Sequence, residues 1–150
     1  MITQFNFGFG LVDAHQHSNG GGWIQNTASV EASVFVGPDA QVYGSARAYG
    51  SAQVCGLAQV YGSARVYDSA RVYGSAVVCG SGVVSQNPLH ILGFEFPITA
   101  CDNQVQIGCK TLQPESLRLN LFPEEKCPNL RQVGPELIVA ILAHFKRCTQ

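Results

Sequence analysis

Aliphatic residues recur at every sixth position between residues 24 and 84, and this period dominates the sequence. The residue two positions before them is mostly alanine, with Val34 and Gly82 as variants. Between residues 44 and 80 the residue two positions after is glycine, except at Asp68. The aliphatic positions are Ile24, Val30, Val36, Val42, Ala48, Val54, Val60, Val66, Val72, Val78 and Val84. A short fixed period of this kind predicts a solenoid of stacked coils and argues against a mixed globular fold.

Each six-residue unit has the polarity of one short strand followed by one corner. In Arg65-Val66-Tyr67 the side chains alternate outward, inward and outward, as they do in a strand. Glycine at the corner allows left-handed backbone angles without a Cβ penalty, and aspartate is among the few other residues that tolerate them. A helix is excluded because one glycine in every six residues would cost about 1 kcal/mol each relative to alanine. The pattern predicts an all-β solenoid in which Asp68 adopts a left-handed conformation.

The hexads, with valine inward and alanine two positions before it, resemble those of the hexapeptide-repeat proteins, which form left-handed parallel β-helices. In that family three hexads make one triangular coil, and three chains associate. The resemblance implies a left-handed parallel β-helix of three to four coils over residues 24–85, assembled as a homotrimer. The stretches HSNGGGW and ITACDNQVQIGC are also similar to parts of phage and prophage proteins that carry such repeats, which implies a phage origin.

We expect the repeat to lie between an N-terminal cap over residues 1–23 and a C-terminal capping segment over residues 86–150. Residues 89–100 and 104–110 are predicted to be the strands of a β-hairpin, joined by a turn at residues 101–103. One α-helix follows Gly134-Pro135-Glu136, because proline at the start, an acidic first turn and a basic last turn are typical helix signals. Its apolar residues cover most of its circumference, so we expect it to pack on the solenoid or on a neighbouring chain, with His144 as a packing residue.

The entry segment combines aromatic residues with glycine. Phe5, Phe7 and Phe9 alternate with Asn6, Gly8 and Gly10, which predicts a strand. The glycines at positions 20–22 predict a hinge, and Trp23 is predicted to form an apolar lid over the open end of the first coil. Such a cap would also protect an exposed sheet edge.

An HxH motif in this entry segment supplies the candidate catalytic residues, His15 and His17, with Asp13 nearby. Two histidines and a carboxylate can ligate a metal or provide a general base. The alternative is that both histidines are solvated or held by local hydrogen bonds, since this spacing is common by chance. We predict no metal site and no cofactor.

The composition predicts an oligomer that binds neither a membrane nor duplex nucleic acid. Hydrophobic residues make up 46% of the chain and charged residues only 13%, which indicates that some surface is buried against other copies. The net charge of −1 gives no general attraction to duplex nucleic acid or to a membrane surface. The chain has no basic leader and no apolar run of membrane-spanning length, so the expected location is the cytoplasm, that of the host cell for a phage protein. Six cysteines without metal-binding spacing are predicted to be free thiols.

Three hexads per coil would align two pairs of outward side chains. Arg65 would lie beside Arg47 and Tyr67 beside Tyr49, one strand spacing of about 4.8 Å apart. Two guanidinium groups this close repel unless an anion lies between them, and the tyrosines are predicted to sandwich a planar ring. These four residues form the candidate ligand-binding site. The alternative is that arginine and tyrosine simply fill outward or subunit-facing positions of a duplicated repeat.

Three functions fit these features. The favoured one is a non-catalytic oligomeric binding module, encoded by a phage, that holds an anionic nucleotide-like signal or a host protein at clefts between subunits and so counters host defence. The first alternative is an acyltransferase that uses an acyl-CoA donor, as many hexapeptide-repeat proteins do with a histidine base. It is disfavoured because all four histidines lie outside the repeats. The second alternative is a purely structural trimeric phage component.

Overall fold

A computed structural model describes residues 3–92, 97–108, 110–117 and 134–148 and shows a parallel β-solenoid with a helix near its C-terminal end. Eleven short strands build the solenoid: β3 (Trp23–Gln25), β4 (Ser29–Val30), β5 (Phe35–Val36), β6 (Gln41–Val42), β7 (Arg47–Ala48), β8 (Gln53–Val54), β9 (Gln59–Val60), β10 (Arg65–Val66), β11 (Arg71–Val72), β12 (Val77–Val78) and β13 (Val83–Val84). The predicted six-residue strand-and-corner unit is confirmed.

The strands stack into three parallel sheets, which we call the first, second and third faces. The first face contains β3, β6, β9 and β12, the second contains β4, β7, β10 and β13, and the third contains β5, β8 and β11. Strand partners are eighteen residues apart on every face, as in the pairs Trp23 with Gln41, Arg47 with Arg65 and Gln53 with Arg71. Three hexads therefore make one coil, as predicted, and the solenoid has between three and four coils.

The core is a column of aliphatic side chains with alanine beside them. All but one of the repeat positions are almost fully buried, and the exception, Val30, is partly buried in the first coil. The alanines two positions before them are fully buried from Ala40 to Ala76. Val34 occupies the same repeat position in the first coil and is also fully buried, so this row is filled mostly by alanine and packs beside the valine column.

The corners from Gly44 to Gly80 adopt the left-handed conformation that the repeat predicts, whereas those of the first coil, which lack glycine, do not. Asp68 has φ 57°, and its glycine counterparts, for example Gly50 at 73°, share this region. Successive corners also pack tightly on one another, since a Cβ atom at Gly50 would lie 3.1 Å from the backbone nitrogen of Asp68. Glycine is therefore favoured at position 50 both for its backbone angles and for the close approach of the next coil.

The N-terminal segment continues the first face beyond the first coil. Strand β1 (Gln4–Asn6) pairs antiparallel with β2 (Leu11–Gln16), and β2 pairs antiparallel with β3. Strand β2 thus pairs along the edge of β3, where the sequence predicts a lid formed by Trp23. Trp23 instead begins β3, and its ring stacks on Phe5 at a centroid distance of 4.5 Å. The predicted glycine hinge is hydrogen-bonded to the solenoid, since Gly22 donates to the Val36 carbonyl at 2.9 Å.

The other end of the solenoid is covered by a four-stranded antiparallel sheet, where the sequence predicts a two-stranded hairpin. Its strands are β14 (Leu89–Ile91), β15 (Ile98–Ala100), β16 (Val105–Ile107) and β17 (Lys110–Leu112). The single strand predicted over residues 89–100 is thus two strands that pair with each other, with residues 93–96 outside the described part. Proline at position 97 lacks a backbone N–H and directly precedes β15, at the start of a strand where proline is tolerated. The turn predicted at residues 101–103 is confirmed.

The predicted helix is present as α1 (Gly134–Cys148), and it packs on the C-terminal sheet. Ile141 and Phe145 are buried with residues of β15 and β16, whereas Val139 remains 67% exposed. The helix therefore buries apolar side chains on one side only, against the C-terminal sheet, although apolar residues cover most of its circumference. Among the described residues, no helix is long and apolar enough to cross a membrane.

Candidate functional site

Arg47 and Arg65 lie side by side on the second face. They begin β7 and β10, and the two strands pair in parallel with these residues in register. Both side chains are exposed. The eighteen-residue spacing dictates this placement, so the predicted pairing of the two arginines is confirmed, while ligand binding by them remains a prediction.

Tyr49 and Tyr67 follow these strands and are also aligned. Their rings stack on each other with centroids 5.2 Å apart and planes only 5° apart. Stacked aromatic pairs in direct contact have centroid distances of about 4.5–7 Å, so no third ring fits between these two. The expected sandwich of a planar ring is therefore wrong: the strand spacing brings the tyrosines into contact, and only the ring faces that point away from each other remain for a ligand.

A depression of about 200 Å³ lies beside the arginine pair and is lined by Ser29, Glu31, Arg47, Ala48, Tyr49 and Arg65. Tyr67 is not part of the lining. Sequence reasoning missed Ser29 and Glu31, although each lies one coil before a predicted site residue, at the same eighteen-residue spacing. We call this depression and its lining the arginine-pair site.

The arginine-pair site has an excess of positive charge. Its one carboxylate, on Glu31, accepts a hydrogen bond from the Gly50 backbone nitrogen at 2.9 Å. In the part of the chain that the structure describes, no ion pair engages the guanidinium of Arg47 or Arg65. Two planar forks with free donors and only one nearby carboxylate form a surface that attracts an anion.

The two candidate catalytic histidines are not brought together with an acid. His15 is exposed, and its Nδ1 lies 2.8 Å from Oδ1 of Asn26. His17 is buried, and its Nδ1 accepts a hydrogen bond from the Asn19 backbone nitrogen at 3.2 Å. Both side chains thus have local hydrogen-bond partners, and Asp13 instead contacts Gln4 at 3.2 Å.

The remaining histidines lie at the C-terminal end. Burial lowers the pKa of His90, which lies beside the corner of Gly74. Burial and the nearby Arg147 lower the pKa of His144, while Asp102 and a hydrogen bond to the Ala100 backbone act in the opposite direction. His144 is buried as predicted, and neither histidine lies on the second face.

The cysteines of the repeat lie on different faces, as the spacing predicts. Cys55 follows β8 on the third face, and Cys79 follows β12 on the first face. Cys79 is buried under the C-terminal sheet and donates to Oε1 of Gln106 at 3.0 Å. Burial, followed by the hydrogen bond with Cys79, raises the pKa of Tyr61 to about 12. The Cys79 thiol is therefore a buried, hydrogen-bonded packing group, and a reactive thiol would need more exposure.

Within residues 3–92, 97–108, 110–117 and 134–148, no group of three or more histidine, cysteine, aspartate or glutamate side chains is placed to hold a metal ion. Comparison of the chain with family models, with curated proteins and with solved structures gives no match.

Proposed function

We propose that the protein is a non-catalytic binding module that holds a small anionic, nucleotide-like molecule at the arginine-pair site. The observation that carries this proposal is the in-register placement of Arg47 and Arg65 on adjacent strands. Like charges directly opposite each other on a sheet are destabilising, and an anion bound between them removes that repulsion. The repulsion between the two arginines lowers the free energy of unfolding of the free protein, and a bound anion would restore it.

The neighbouring Tyr49 supplies a contact for the rest of the ligand. It lines the same depression as both arginines, and its inner side is already stacked on Tyr67. A nucleobase would therefore stack on the face of Tyr49 that points away from Tyr67, while its phosphate contacts the guanidinium groups. Aromatic stacking of this kind contributes about 1–3 kcal/mol per base.

The size of the depression supports an oligomeric site. Its volume of about 200 Å³ is below the range of about 300–1,000 Å³ of most small-molecule pockets. A neighbouring chain would add the missing wall, as in the homotrimers of the hexapeptide-repeat family to which we assign the protein. Left-handed coils and a phage origin belong to the same proposal, and sequestration of a nucleotide signal would serve the phage against host defence.

Isothermal titration calorimetry with cyclic and linear nucleotides and an acyl-CoA tests the proposal. Arg47→Gln and Arg65→Gln should each weaken nucleotide binding about 10- to 150-fold, since a charge-assisted hydrogen bond contributes about 1.5–3 kcal/mol. Lys110→Gln is the matched control, because it removes the same charge from an exposed position on β17.

Three results would contradict the proposal. The parent protein could bind no nucleotide, the arginine variants could bind as tightly as the parent, or the protein could transfer the acyl group of the acyl-CoA. The last result would support an acyltransferase, and the absence of any binding would favour a structural component.

A further inference from the structure

A larger polar cavity lies where the third face meets helix α1. It has a volume of about 390 Å³ and is lined by Ser69, Arg71, Gln86, Asn87, His144 and Arg147. This volume falls within the range of about 300–1,000 Å³ typical of small-molecule pockets. The solenoid supplies one wall and the last turn of the helix supplies the other, so we call it the junction cavity.

The charge of the junction cavity is positive. Arg71 begins β11 and Arg147 lies in the last turn of α1, and no lining residue is acidic. Among the described residues, neither guanidinium is engaged in an ion pair. The nearest carboxylate that acts on His144, that of Asp102, is outside the lining and accepts two hydrogen bonds from Ser85 at 2.6 Å.

The neutral part of the wall is rich in donors. Oδ1 of Asn87 accepts the backbone N–H of Arg71 at 2.9 Å. This bond fixes the orientation of the amide, because only the oxygen can accept, and it leaves the Nδ2 group to donate elsewhere. Two guanidinium forks and an amide donor, with no carboxylate, are the groups that bind a tetrahedral oxyanion and that repel a metal cation.

We propose that the junction cavity binds the phosphate group of a small molecule, with Arg71 and Arg147 as its charged ligands and Asn87 as a neutral donor. The site shares no residue with the arginine-pair site and does not depend on it. A bound phosphate would bridge the solenoid and α1, so binding would stabilise the docked helix.

Nuclear magnetic resonance titrations of the full chain test the proposal, with inorganic phosphate and with adenosine monophosphate as probes. The backbone amide signals of Arg71, Asn87 and Arg147 should shift and saturate at millimolar concentration or below. Saturation with phosphate alone would identify the free ion as sufficient, and saturation with the nucleotide alone would identify a larger phosphorylated molecule; both results support the site.

Four variants give the assay its specificity. Arg71→Gln and Arg147→Gln should each weaken binding about tenfold or more, whereas Arg65→Gln should leave these shifts unchanged. Asn87→Asp is nearly isosteric and keeps the oxygen that accepts from Arg71, so it preserves the fold while it replaces a donor with a negative charge. It should also weaken binding at least tenfold.

The proposal is overturned if neither probe produces saturable shifts in the parent protein. It is also overturned if a folded Asn87→Asp variant binds as tightly as the parent. Because Arg65→Gln affects only the arginine-pair site, loss of binding in that variant alone would assign the phosphate to the second face and refute the junction site.

Discussion

Close stacking of the corners predicts that one substitution, glycine to alanine, has different costs at equivalent positions of the repeat. Gly62 and Gly80 both have positive φ, at 71° and 61°. A Cβ at Gly62 would lie 2.9 Å from the backbone nitrogen of Gly80, whereas a Cβ at Gly80 would meet nothing within 4 Å. The two positions therefore share the conformational cost and differ in the contact with the next coil.

The expected magnitudes follow from these two terms. A residue with a Cβ in the left-handed region costs about 1–2 kcal/mol, which is the full effect of Gly80→Ala. In Gly62→Ala the new methyl group meets backbone atoms that cannot rotate away, and overpacking of this kind adds about 1–3 kcal/mol. Gly62→Ala should thus lower the free energy of unfolding by about 2–5 kcal/mol.

Urea denaturation of both variants at one protein concentration measures the difference. Gly74→Ala separates the steric term from the position in the chain, because its Cβ would meet only the His90 ring, at 3.6 Å, and so make ordinary contact. It should resemble Gly80→Ala. Equal free energies for Gly62→Ala and Gly80→Ala, within about 0.5 kcal/mol, would refute the idea that contact between coils limits the corner residue.

Three further predictions concern the corner at Asp68, the two C-terminal histidines and assembly. Asp68→Gly should be tolerated, whereas Asp68→Val should lower the free energy of unfolding by about 1–3 kcal/mol, because φ is 57° there; equal melting temperatures would contradict this. Burial lowers the pKa of His144 and of His90 in the folded protein, so below about pH 6.5 the unfolded chain binds more protons than the folded one. The free energy of unfolding should therefore be highest above about pH 6.5 and fall as the pH drops below it. His144→Gln should flatten this dependence in denaturation curves, and an unchanged slope would show that His144 does not cause it. Light scattering at micromolar concentration should give the mass of three chains, and a stable monomer would exclude the homotrimer.

The solenoid could be predicted from the sequence because its determinants are local and repeated. Each hexad places one aliphatic residue inward, and the corners from Gly44 to Gly80 share a left-handed conformation, so the eighteen-residue spacing alone aligns Arg47 with Arg65. The stacking of Tyr49 on Tyr67 follows from the same spacing. The separation of neighbouring strands is close to the thickness of one aromatic ring, so a third ring is excluded from the space between the two tyrosines.

The ends of the solenoid could not be predicted in the same way, because they depend on contacts between distant segments. No repeat relates Arg71 to Arg147, and only the docking of α1 brings them to one cavity. The four-stranded sheet likewise depends on the pairing of β14 with β15 across residues 93–96, which a continuous apolar pattern conceals. Gly93 and Pro97 are the local sequence signals for that division.

The last prediction concerns the turn at residues 101–103. This turn forms hydrogen bonds with the outer edge of β13, where a further coil of the solenoid would otherwise pair. The backbone N–H of Asp102 donates to the Val83 carbonyl at 2.7 Å, and Oδ1 of Asn103 accepts the Val83 N–H at 2.8 Å. Oδ2 of Asp102 accepts both the backbone N–H and the hydroxyl of Ser85 at 2.6 Å. Side chains thus satisfy groups that a further parallel strand would otherwise pair.

Asp102→Ala should therefore destabilise the end of the solenoid, because it leaves the Ser85 N–H without its acceptor. The expected loss is about 1–3 kcal/mol in the free energy of unfolding, with faster hydrogen exchange at the Ser85 amide. Ser85→Ala is the matched control, since it removes the hydroxyl donor and keeps the bond from the backbone N–H to Asp102. If Asp102→Ala were no more destabilising than Ser85→Ala, with Ser85 exchange unchanged, the carboxylate would have no role in ending the β-solenoid.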